Sequence, residues 1–148
     1  MSDLADNLKV LQATSFSYYV KAHQFHWCVE GPNFPQYHKF LGKLYEDIYG
    51  TIDIIAEYIR SLDSYTPGSL TRYAELSQIQ DQLKIPRAEL MFAELLVDTQ
   101  TLLNCIMQCF ATATTCNSQG IANFLSERQA AMQKHAWMMR SIMKKDRA

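Results

Sequence analysis

An all-α four-helix bundle with one long crossover is what this sequence predicts, and three observations carry that expectation. Apolar residues recur at steps of three and four along four long segments. The five Gly and four Pro of the 148 residues fall mostly between those segments. The stretch joining the second and third segments is too long for a tight turn and reads as a crossover.

Each element follows from its own pattern. Leu8, Leu11, Tyr18, Ala22 and Phe25 share one helical face, which predicts a helix over residues 4–28. "EGPNFP" breaks it, because Pro32 and Pro35 restrict their predecessors and Gly31 supplies the turn. Phe40 or Leu41, Leu44, Ile48, Ile52, Ile55, Ile59 and Leu62 continue as the stripe of a second helix over 36–63. The connection is short, so these two helices are expected to run antiparallel as neighbours. "SYTPGS" stops the second helix, and Ser69, Leu70, Tyr73, Leu76 and Ile79 are spaced as one short helix within the crossover. Pro86 opens "RAELMFAELLVDTQTLLNCIMQCFATATTC", whose apolar content is too continuous for a surface helix and predicts one buried against several neighbours. "NSQG" ends it. The last helix is expected over 121–144, with Phe124, Leu125, Met132, Ala136, Met139 and Met143 inward and Lys144 and Lys145 complementing its C-terminal dipole. Four long helices with a single crossover carrying a short extra helix make the ferritin-like variant of the bundle.

Composition narrows the function classes. With 48% hydrophobic and 20% charged residues the chain reads as one domain over 1–148, large enough to bury its own core. A net charge of -1 offers no footprint for nucleic acid or an anionic membrane, and the basic cluster "KKDR" at 144–147 reads as a solvated helix end. No uninterrupted apolar stretch approaches the ~18 residues of a spanning helix, and no leader-like pattern opens the chain, so a cytoplasmic protein is expected. Cys28, Cys105, Cys109 and Cys116 are expected to be free thiols. The last three share a face, where small side chains filling a helix interface explain them better than a thiolate cluster; the seven methionines read likewise as core fillers, and His135 as structural.

The chemistry concentrates at the first helix end. His23, His26 and His38 fall within sixteen positions around the Gly-Pro turn. An antiparallel hairpin brings His26 and His38 together. Asp53 and Glu57, in "DIIAE", stack two carboxylates on one face of the second helix. Two imidazoles with two carboxylates suit Fe(II) or Zn(II). Yet His38 and Asp53 are fifteen residues apart on one helix, about 22 Å. If both halves hold one ion, they come from different subunits, across a two-fold contact that forms two sites. Half-buried helix histidines and solvated carboxylate pairs are common, so spacing alone leaves a purely structural reading open.

"HWCVEGPNF" followed by His38 and then "DIIAE" at 53–57 resembles the signature of the Dps family, the mini-ferritins also called DNA-binding proteins from starved cells, and "GIANFLSERQAAMQKHAWMMRSIM" resembles the family's final helix. The resemblance implies His26 and His38 as ligands from one subunit, with Asp53 and Glu57 from its two-fold partner. It further implies a dodecameric shell in which Fe(II) is oxidised, preferably by hydrogen peroxide, and stored as ferric mineral. Trp27 and Tyr45 resemble aromatic positions near the family's site that quench stray oxidising equivalents, with core packing as their plainer account.

Three departures from the pattern bear on function. Gly42 stands where the family usually has a carboxylate, which puts a second iron position in doubt, with Glu46 or His23 as partial substitutes. Asn123 replaces a pore-lining Asp, although Glu127 keeps a carboxylate one turn on. The Lys-rich tail with which some relatives condense DNA is absent, so DNA binding is expected to be weak or nil. The alternative to an efficient ferroxidase is a Dps-like shell whose impaired site binds zinc or a single iron without efficient turnover. A third possibility is a helical interaction module without metal.

Overall fold

The computed structural model describes residues 2–145; Asp146 and Arg147 of the basic cluster lie outside the described residues. Helix α1 (Ser2–Cys28) and α2 (Phe34–Ser61) form one hairpin, and α4 (Ala88–Thr115) with α5 (Gln119–Met143) forms the other; α3 (Leu70–Leu76) lies in the crossover. No strand occurs among the described residues. Helix α1 packs against α2, α4 and α3, while α4 packs on α5. This is the expected ferritin-like bundle.

The helix ends differ from the reading by about two residues, and local chemistry explains why. Helix α2 begins at Phe34 because Pro35 is tolerated in a first turn, where its missing N–H would have no partner. Before it, Gly31 adopts a φ of +122°, a backbone state that favours glycine. Helix α2 stops at Ser61, ahead of the Pro-Gly pair, because Asp63 turns left-handed at φ 60°. The Asp63 N–H then donates to Arg60 O at 3.0 Å and the Ser64 N–H to Ile59 O at 3.3 Å, which is the Schellman pattern. Asn117 repeats it after α4, with Ser118 N–H on Ala113 O at 2.8 Å. The crossover helix is shorter than expected. Ser69 caps it by accepting from the Arg72 N–H, but it ends at Leu76, and Ile79 is buried from the bend beyond; Leu70 is 75% exposed.

The core runs the length of the bundle. Leu8, Leu11, Tyr18, Ala22 and Phe25 are buried from α1, and Leu41, Leu44, Ile48, Ile55 and Ile59 from α2, as their spacing predicts. Helix α4 supplies Met91, Phe92, Leu95, Leu102 and Ile106, and α5 Leu125, Met132, Ala136 and Met139. By length and composition α4 is apolar enough to cross a membrane, a feature hidden from a scan for uninterrupted runs by its scattered polar residues, but its apolar stripe faces the bundle. The cysteines are free. Cys105 and Cys109 fill the core as expected, and burial pushes the Cys109 thiol up to about 12, leaving it inert as a thiolate.

Two polar clusters tie the helices. Lys21 is buried on α1 with its Nζ 2.7 Å from Asp98 and 2.8 Å from Glu94 of α4. Burial raises the Asp98 carboxyl; Glu94, more open and bonded by Lys21 and Gln82, lies below the usual range despite its own desolvation. The other cluster joins α2 to α5, where Arg128 grips Asp47 with two bonds of 3.0 and 2.8 Å and His135 Nε2 donates to the same carboxylate at 2.8 Å. His135 is thus structural, as expected, through a partner far away in sequence.

Candidate metal centre

The hairpin brings two of the expected ligands face to face. His26 ends α1 and His38 begins α2, and their rings stack with centroids 3.8 Å apart and planes within 16°. His26 Nδ1 lies 2.7 Å from the His38 carbonyl oxygen, and His38 Nδ1 lies 2.7 Å from the His26 carbonyl oxygen. A carbonyl only accepts, so both Nδ1 atoms carry the proton and donate. In the neutral ring that arrangement leaves the lone pair on Nε2, and neither Nε2 has a hydrogen-bond partner among the described residues. That tautomer makes Nε2 the nitrogen available to a metal.

An aromatic wall flanks the pair. The His23 ring stacks on Tyr45 at 3.8 Å and 9°, and lies 3.8 Å from the Trp27 ring. Its Nδ1 is 3.1 Å from the Tyr19 hydroxyl. Burial, and next the nearby His26, hold the His23 pKa below its ordinary value, which favours the neutral ring. Core packing does not account for Trp27, which is 66% exposed; Tyr45 is half-buried.

The carboxylates stand apart. Asp53 and Glu57 lie on the exposed side of α2, further along the same helix, and Glu46 is exposed nearer to the histidines. Glu127 and Asn123 are exposed on α5. Among the described residues no three His, Cys, Asp or Glu side chains gather within one chain around a common point, so one chain offers the two imidazoles alone. Gly42 lies against the Nδ1–Cε1 edge of the His26 ring.

Sequence reasoning missed the Lys21 and Asp47 clusters. The signal was available: Lys21 and Asp98 interrupt otherwise apolar faces, which is where a buried ion pair shows itself.

Comparison with known proteins fixes the family. A family model described as a ferritin-like domain matches residues 5–148. The DNA protection during starvation protein of Brevibacillus brevis is 29% identical over 84% of both chains. The chain belongs to the Dps family of ferritin-like proteins. Dps from Staphylococcus aureus superposes with a TM-score of 0.94 at 27% identity, covering 99% of this chain and 98% of that one. A low temperature-induced protein of Nostoc is 32% identical over 95% of this chain and 75% of its own. The Dps-family bundle agrees with the topology read from hydrophobic spacing.

Proposed function

We propose that this Dps-family chain assembles into a hollow dodecamer that oxidises Fe(II), preferably with hydrogen peroxide, and stores the ferric product, protecting the cell from both reagents. The observation that carries the reading is the His26–His38 pair, whose Nδ1 protons are spent on main-chain carbonyls while both Nε2 atoms stay free. His26 and His38 hold the cation from one subunit. Asp53 and Glu57 reach it from the two-fold partner, a role supported by their exposure and by the helix length that separates them from the imidazoles. Carboxylates favour the harder Fe(III) product, and two Fe(II) supply the two electrons that take one peroxide to water. Zinc fits the same donors. The exposed Trp27 and the Tyr45 stack lie close enough to intercept stray oxidising equivalents, and Glu127 serves iron entry at a pore. The protein acts in the cytoplasm and binds DNA weakly or not at all, in keeping with a net charge of -1.

Subunit mixing tests the site. Oligomers reassembled from equal amounts of a His26→Ala/His38→Ala chain and an Asp53→Asn/Glu57→Gln chain should regain about a quarter of the wild-type sites, because half the dimers are hybrids with one intact site of two. No recovery would sink the shared site. Light scattering should give about 200 kDa for twelve 17.0 kDa chains.

One observation favours a second reading, in which the site is impaired and holds zinc or a single iron. Gly42 adds no ligand, and the His26 ring occupies the space beside it. Stopped-flow mixing of the anaerobic Fe(II) protein with peroxide separates the two: fast ferric absorbance at about two irons per site supports the ferroxidase, and a slow or half-sized signal the impaired site.

A further inference from the structure

Gly42 sits one helical turn beyond His38, against the ring of His26. A Cβ at this position would stand 3.1 Å from His26 Cε1 and 3.2 Å from His26 Nδ1, inside ordinary van der Waals contact. The ring has little room to retreat. On one face it stacks on His38 at 3.8 Å, and its Nδ1 is tied to the His38 carbonyl at 2.7 Å. The other glycine inside α2 behaves differently, since a Cβ at Gly50 would meet nothing. A glycine in mid-helix weakens the helix, so at Gly42 that weakness coincides with a specific close approach.

We propose that Gly42 is a positioning residue for His26: its missing side chain lets the imidazole lie against the α2 backbone in the orientation that donates from Nδ1 and frees Nε2. A side chain at position 42, a carboxylate included, then has to push the His26 ring aside by a few tenths of an ångström before it adds an oxygen donor. The ligand set that this chain presents at its hairpin is nitrogen-only, which suits borderline divalent cations such as Co(II) and Zn(II). The consequence for metal rests on the reading of the site given above; the consequence for the ring does not.

The test compares Gly42→Ala, Gly42→Asp and Gly50→Ala in the full-length protein, alone and, for Gly42→Ala, combined with His26→Ala. Gly50→Ala should raise the melting temperature through helix propensity, whereas Gly42→Ala should lower it. Once His26 is replaced by Ala, adding Gly42→Ala should raise the melting temperature instead. In crystals of metal-free Gly42→Ala, the His26 ring should be shifted and its bond to the His38 carbonyl lengthened. Titration with Co(II), followed by its visible d–d absorption, should show affinity about tenfold weaker for Gly42→Ala and no tighter for Gly42→Asp. An unmoved ring whose bond keeps its length in Gly42→Ala, an equal loss of stability with and without the His26 ring, or tighter Co(II) binding by Gly42→Asp would overturn the proposal. Failure of the wild-type protein to bind Co(II) would count against the metal site, while the stability comparison and the crystal still judge Gly42.

Discussion

His26 and His38 exchange hydrogen bonds, each ring donating from Nδ1 to the other's main-chain carbonyl at 2.7 Å. The acceptors are backbone atoms, so each imidazole is oriented by the place where the other residue's main chain lies. The hairpin itself sets the tautomer. Replacing His38 by Ala thus leaves the acceptor for His26 in place while removing the stacked ring, its bond to the His26 carbonyl and its free Nε2. Zn(II) binding by calorimetry should weaken by about 10-fold or more, while stability falls by no more than about 1 kcal/mol. Unchanged affinity would exclude His38 as a ligand.

Asp47 should govern the acid limb of stability. Burial pushes its carboxyl up, but the bonds from His135 and Arg128 outweigh this and hold it well below the usual carboxylate range. With a folded pKa below the unfolded one, its contribution is present above the ordinary carboxylate pKa and is lost as pH falls toward the folded value. Asp47→Asn should cost about 2 kcal/mol at neutral pH. Urea melts from pH 7 down to pH 3 should show the difference between variant and wild type narrowing only at the acid end.

Lys21 and Asp98 should respond unequally. Lys21 is nearly enclosed between two carboxylates, so Lys21→Met strands both and should destabilise the fold by about 3 kcal/mol. Asp98 carries the raised pKa, and Asp98→Asn leaves Lys21 neutralised by Glu94. That variant should lie within about 1 kcal/mol of wild type at pH 7. Denaturant midpoints at constant m-value would decide it.

Thiol reactivity should divide by position. Cys109 is fully buried with its thiol pushed up to about 12, so iodoacetamide at pH 8 should leave it unmodified in the native protein and label it after denaturation. Cys28, half-buried at the end of α1, should react first. Peptide mass spectrometry reads both.

Much of the bundle was legible in the sequence because helical burial leaves a period. The inward stripe from Leu41 through Ile59 needed no knowledge of its partners, and Pro and Gly marked the breaks closely enough to count the helices. The stop of α2 was less visible, since it depends on Asp63 taking a left-handed turn that the following Pro-Gly pair only suggests. Likewise, His26 and His38 could be paired from one short connection, and the helix length between His38 and Asp53 argued for a second subunit.

What the sequence determined by itself was the order and approximate extent of the four long helices, most of the residues that face inward, and the two imidazoles at the hairpin, all consequences of local periodicity and short connections. Only the tertiary structure decided that both Nδ1 atoms are committed to carbonyls, that the His26 ring rests on Gly42, and that Asp47 and Lys21 find partners on α5 and α4. Those facts depend on ångström distances between segments remote in the chain. A hydrogen bond or a missing methyl has no period, so it shows only when the helices are packed.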